Sequence, residues 1–106
     1  VEARPDLVRE LATLGADLNT ENELGNTPLM EAVIKGDQLM VDVLLDLGAN
    51  PNWQSSRDQN TALHVAADYE RRDAVSVLLR AGANTELENK YSETPAALIA
   101  KSKLSV

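Results

Sequence analysis

The side chains with the greatest chemical reach in this sequence are few. His64 is the only histidine and cysteine is absent, so these residues cannot assemble a His-based metal cluster, a thiolate zinc site or a His-containing triad. Carboxylates are plentiful, 17 in all, but no spacing pairs two of them in the setting that splits an acid from a base. Glycine-rich phosphate loops and the Gly-x-Ser-x-Gly nucleophile turn are also missing. The expectation is a non-enzyme with no catalytic, cofactor or metal residues. What remains is recognition chemistry, carried by three aromatics, Trp53, Tyr69 and Tyr91.

Charge narrows the partners. Residues 1–53 carry ten acids against three bases (Arg4, Arg9 and Lys35), and residues 54–106 carry seven of each. The whole net charge of −7 therefore lies in the first half. Nucleic-acid backbones are bound by clustered Lys and Arg, so this balance argues against a nucleic acid and favours a protein with a basic or apolar segment. The longest aliphatic run is Ala96 to Ala100, far short of the roughly 18 residues of a membrane span, so no membrane partner is expected. Lack of cysteine suits an intracellular protein, cytoplasmic or nuclear.

The elements that must position these residues follow from an internal repeat. Gly15-Ala16, Gly48-Ala49 and Gly82-Ala83 stand 33 and 34 residues apart, and Thr27, Thr61 and Thr94 stand 34 and 33 apart. Thr27–Gln54 aligned on Thr61–Glu88 gives ten identities in 28 positions, mostly apolar or turn-forming. Such a period encodes a stacked structural unit. Within one unit, Thr27 can cap a helix that starts at Pro28, whose missing N–H costs nothing there. Leu29, Ala32 and Val33 form an apolar stripe at helical spacing. Asp37 can cap a second helix, with Leu39, Met40, Val43, Leu44 and Leu47 as its buried face. Gly48 supplies the left-handed turn that ends it. Turn residues then lead to the next unit. The core contains no Phe, which suits closely stacked helices built from Leu, Val, Ile and Ala.

Thr27-Pro28-Leu29-Met30-Glu31-Ala32 and Thr61-Ala62-Leu63-His64-Val65-Ala66-Ala67 resemble the Thr-Pro-Leu-His-x-Ala-Ala segment of ankyrin repeats. Val43-Leu44-Leu45-Asp46-Leu47-Gly48-Ala49-Asn50 and Val77-Leu78-Leu79-Arg80-Ala81-Gly82-Ala83-Asn84 resemble that family's Val-x-Leu-Leu-x-x-Gly-Ala-Asp/Asn. The resemblance implies a mainly α fold, an ankyrin-repeat solenoid of helix-turn-helix units joined by β-hairpin loops. It divides residues 1–106 into a partial repeat (1–21), two full repeats (22–54 and 55–88) and a partial terminal repeat (89–106). Residues 1–21 match only the second half of a unit, and the last unit stops after its first helix. Further sequence in a longer protein, a partner, or self-association through open solenoid ends is therefore expected, since each repeat buries its apolar face only against neighbours. The third unit departs from the pattern: Gln59 replaces the hairpin glycine, Glu70 the inter-helix glycine, and one extra residue lies between Trp53 and Thr61.

The resemblance also implies a role for His64 in bonding nearby backbone and holding adjacent hairpins. It implies a concave face of hairpin tips and inner helices on which a partner protein docks. Carried over position by position, that face comprises Glu23, Leu24, Asn26, Ile34 and Lys35, then Arg57, Asp58, Asn60, Asp68 and Tyr69, then Lys90, Tyr91, Glu93, Lys101 and Ser102. Trp53, Tyr69 and Tyr91 fall on or beside it, at positions the repeat does not use for core, and exposed aromatics are enriched among interface hot spots. The alternative for Trp53 is packing across neighbouring hairpins. Asn19 and Asn52 occupy the hairpin place at which some ankyrin proteins are hydroxylated; the plainer reading is that they are turn residues. The functional expectation is a protein-interaction module. The alternative is a targeting or regulatory segment of a larger enzyme or channel.

Overall fold

The computed structural model describes residues 18–102. Five helices lie in this span: α1 (Pro28–Lys35), α2 (Gln38–Asp46), α3 (Ala62–Asp68), α4 (Arg72–Arg80) and α5 (Pro95–Lys101). Each odd-numbered helix opens in the same way. The Oγ1 of Thr27, Thr61 and Thr94 accepts from the backbone N–H three residues on, at 3.3, 3.3 and 3.1 Å. This satisfies a donor the helix itself leaves open. Proline follows at the first helical position in α1 and α5. Asp37 caps α2 through Met40 N–H at 3.2 Å, as its spacing predicts.

The helices stack in two rows. α1, α3 and α5 pack in series as the inner row, while α2 lies against α1 and α4, and α4 lies against α3. Leu29, Leu44, Leu63 and Leu78 are all at most 2% exposed and form the centre of a continuous core. Stripping one such side chain to alanine typically costs about 2–5 kcal/mol. In α2 the buried set is Val41, Val43 and Leu44. Leu39, expected to be buried, is 56% exposed. The apolar positions of this nine-residue helix surround more of its axis than the covered stripe, so the stack decides which of them face out.

The connecting loops are hairpin-like turns, with no strand among the described residues. Their closure bonds run from Asn22 N–H to Asn26 O (2.8 Å), Ser55 N–H to Asn60 O (2.9 Å) and Asn89 N–H to Glu93 O (2.9 Å). The middle loop spans one more residue than the others, so the insertion after Trp53 is absorbed at the tip. Gly25 has φ 83°, and its counterparts Gln59 and Ser92 keep φ at 60° and 61°. Gly36 has φ 70° and its counterpart Glu70 53°. The left-handed turn is thus retained where glycine is lost, at a conformational cost on the order of 1 kcal/mol per residue.

One contact locks the two complete units together. The Arg71 guanidinium donates through Nε to Val33 O at 3.2 Å and through Nη2 to Ile34 O. Both carbonyls lie in the last turn of α1, where Val33 O also accepts from Gly36 N–H at 3.1 Å. A Cβ on Gly36 would come within 3.2 Å of Arg71 Nη1, so glycine here provides both the turn and the room for that arginine. The same region forms a cleft of about 240 Å3.

Candidate interaction surface

His64 is fully buried. Its Nδ1 accepts from the Thr61 backbone N–H at 3.0 Å, and its Nε2 lies 2.8 Å from Glu93 O. An N–H pointing at Nδ1 places the ring proton on Nε2, which therefore donates to the carbonyl. The ring closes the α3 capping box and fastens it to the next hairpin 29 residues on. This is the backbone-holding role the sequence implies.

The tips are built on short side chains that sequence reading passed over. Asn22 Oδ1 accepts from Leu24 N–H (2.9 Å) and Asn26 N–H (3.0 Å). Asn89 Oδ1 accepts from Tyr91 N–H (2.9 Å) and Glu93 N–H (3.0 Å). These Asx turns hold the tip rigidly, and they place Leu24 and Tyr91 at equivalent positions, 64% and 61% exposed. The recurrence of Asn at 22 and 89, with Ser55 in the same place of the middle loop, is the signal that could have revealed them. Adjacent tips are also tied together. Arg57 Nη2 donates to Glu23 O (3.3 Å), Lys90 N–H to Asp58 O (2.8 Å) and Tyr91 OH to Asp58 Oδ1 (3.4 Å). Lys90 Nζ lies 5.9 Å from the Tyr91 ring centre.

The anticipated surface residues divide by environment. Leu24, Tyr69 and Tyr91 stand exposed as large side chains. Glu23, Lys35, Arg57, Asp68, Lys90 and Lys101 are exposed, and Asp58, Glu93 and Ser102 half-buried. Asn26 and Asn60 are half-buried at the base of the tips. Asn26 donates to Glu31 Oε2 at 2.9 Å, and Asn60 Oδ1 accepts from Asn89 Nδ2 at 2.8 Å. Ile34 packs against the core rather than standing free. Partial burial, and then the facing Glu93, push the Asp68 carboxyl above the ordinary aspartate range.

Trp53 departs from its expected place outside the core. It is half-buried and packs on the core cluster, with Nε1 donating to Glu21 Oε2 at 2.9 Å. Glu21 also accepts from Ser56 N–H (2.9 Å) and Ser56 Oγ (2.7 Å). The Ser56 hydroxyl, then the Trp53 indole, hold this carboxyl below the usual glutamate range. The indole braces neighbouring hairpins because its flat face finds apolar cover while its one donor finds an anion.

Asn19 and Asn52 also bridge successive turns. Asn19 Oδ1 accepts from Asn50 N–H at 3.0 Å, and Asn52 Oδ1 accepts from Asn84 N–H at 2.7 Å. No group of three or more His, Cys, Asp or Glu side chains among the described residues is placed to hold a metal ion.

A row of paired helices with tied, left-handed tips defines a class of protein: a helical-repeat solenoid. The family profile described as Ankyrin repeats (3 copies) matches residues 1–101. The chain is 39% identical to the fowlpox virus ankyrin repeat protein FPV031 over 85% of its own length and 27% of that protein. It is 41% identical to human 2-5A-dependent ribonuclease over 71% of its length and 10% of the ribonuclease. Among solved structures, the ankyrin repeat domain of Bcl-3, a member of the IκB protein family, superposes with a TM-score of 0.79 at 35% identity, covering 86% of this chain and 40% of that one. The chain belongs to the ankyrin repeat family. It spans less than a third of the curated relatives named.

Proposed function

We propose that this chain is a non-enzymatic protein-interaction module whose partner docks on the face formed by the hairpin tips and inner helices. The observation that carries this reading is the placement of Leu24, Tyr69 and Tyr91. These three large apolar side chains are more than half exposed, and two of them sit on rigid, equivalently built tips. Presenting such groups on an ordered frame lowers the entropy lost on binding. Asp58, Asp68 and Glu23 add an acidic rim suited to a partner with a basic or apolar segment. Trp53 acts behind this face, as the brace that holds two tips in register.

The test is affinity capture from cells of the source organism, followed by titration of the captured protein. Tyr69→Ala and Tyr91→Ala should each weaken binding by about tenfold or more and leave the helical circular dichroism intact. Unchanged affinity in both variants would overturn the reading.

A second reading is a targeting or regulatory segment of a larger enzyme or channel. It is favoured by the match to 10% of a ribonuclease. The complete open reading frame decides it.

A further inference from the structure

Each of the three hairpin tips presents one residue at the same place in its loop. Leu24, Asp58 and Tyr91 stand directly before the left-handed residues Gly25, Gln59 and Ser92. Leu24 and Tyr91 are exposed, and the half-buried acid stands between them. Nearer the helices the same change recurs, from Ile34 in the first unit to its counterpart Asp68 in the second. Along the stack the face is therefore apolar, then acidic, then aromatic.

The middle acid has capacity left for a cation. Among the described residues its carboxylate takes one long hydrogen bond, from the Tyr91 hydroxyl at 3.4 Å, and no ion pair. The cations beside it are engaged otherwise: Arg57 Nη2 donates to Glu23 O, and Lys90 Nζ lies 5.9 Å from the Tyr91 ring centre. Tip-to-tip bonds hold the row in place, Arg57 joining the first tip to the second and Lys90 N–H to Asp58 O the second to the third. Packed helices stand about 8–10 Å apart and an extended chain advances about 3.3 Å per residue, so a chain laid across the tips meets one at about every third residue. We infer that the partner's segment lies extended across this row, presenting an apolar residue, a lysine or arginine three residues on, and a second apolar residue three further. The outer two cover Leu24 and Tyr91, and the cation pairs with Asp58. This inference rests on the docking face proposed above and adds the sequence pattern of its occupant. A helix needs about seven residues for the same step, so the extended form engages all three tips while ordering fewer residues.

The probe is a capped nonapeptide with leucine second, arginine fifth and leucine eighth, and serine elsewhere, titrated into the protein by NMR. It should shift the Leu24, Asp58 and Tyr91 amides together. Glutamine in place of the arginine should weaken binding about fivefold, the size expected of one exposed ion pair. Moving the arginine next to the first leucine should weaken it similarly. Asp58→Asn should weaken the arginine peptide by the same factor and leave the glutamine peptide unchanged, with the circular dichroism unaltered. Equal binding of the arginine and glutamine peptides, or no effect of Asp58→Asn, would overturn the pattern while leaving the docking face standing if Leu24 and Tyr91 still shift. A peptide bound as a helix would overturn the extended form. No tip shifts at millimolar peptide would also overturn the inference, and the docking face would then be judged by Tyr69→Ala and Tyr91→Ala against the captured partner.

Discussion

The indole Nε1 of Trp53 donates to the Glu21 carboxylate at 2.9 Å across 32 residues of sequence. That carboxylate takes two further hydrogen bonds from Ser56. A single acidic side chain thereby ties the first hairpin to the second. It also accounts for the position of the only tryptophan in the chain.

Because hydrogen bonds to the charged form hold Glu21 below its ordinary range, its contribution to stability is fully present above the unfolded glutamate pKa. It is lost as pH falls through the lower folded value. Acid titration followed by Trp53 fluorescence should show an emission change in that low window and no Glu21-dependent change near neutral pH. Glu21→Ala should abolish this step and cost about 1 kcal/mol, allowing for the solvent exposure of the site. A Trp53 signal that ignores Glu21→Ala would contradict the brace.

Asp68 shifts in the opposite direction, raised by partial burial and by Glu93. The folded state favours its neutral form, so ionised Asp68 works against stability at neutral pH, and that cost fades as pH falls through the raised value. Asp68→Asn should stabilise the fold at neutral pH by no more than about 0.5 kcal/mol after solvent screening. The gain should vanish once the acid is protonated in both states. Urea melts at two pH values would register both signs.

Gln59, Glu70 and Ser92 hold left-handed backbone without glycine. Replacing each by glycine removes the Cβ strain but adds unfolded-state entropy. The net gain should be about 0.5 kcal/mol per site, read as a higher melting temperature. Gly36→Ala should move the other way by more than about 1 kcal/mol, since the methyl group also meets Arg71 at 3.2 Å.

His64→Ala should cost about 2–4 kcal/mol, because it empties a buried site, strands the Thr61 N–H and takes from Glu93 O one of its two hydrogen bonds, leaving that from Asn89 N–H. Nitrogen NMR of the unmodified chain should find the proton on Nε2. A ring protonated on Nδ1 would refute the geometry given for Thr61.

The repeat, its helix starts and its helix ends were legible in the sequence because each is a local matter. Thr27-Pro28 needs only neighbouring backbone to start a helix, and Gly48 needs only a left-handed φ to end one. Periodicity at 33–34 residues then made the stacking unavoidable, since no single unit can cover its own apolar stripe. The role of His64 came from the resemblance of Thr61-Ala62-Leu63-His64 to the ankyrin pattern and not from the repeat itself, since Met30 and Ala97 stand at the equivalent positions. Relations between units were not open to sequence reading. Glu21 carries no mark that it will receive Trp53, and Arg71 occupies the place of the capping Asp37 yet reaches back to Ile34 instead. Leu39 and Ile34 look alike as aliphatic positions, but one is exposed and the other packed on the core. These outcomes depend on the distance and angle between successive units. Only the assembled stack decides those, because they are set by many side chains packing together.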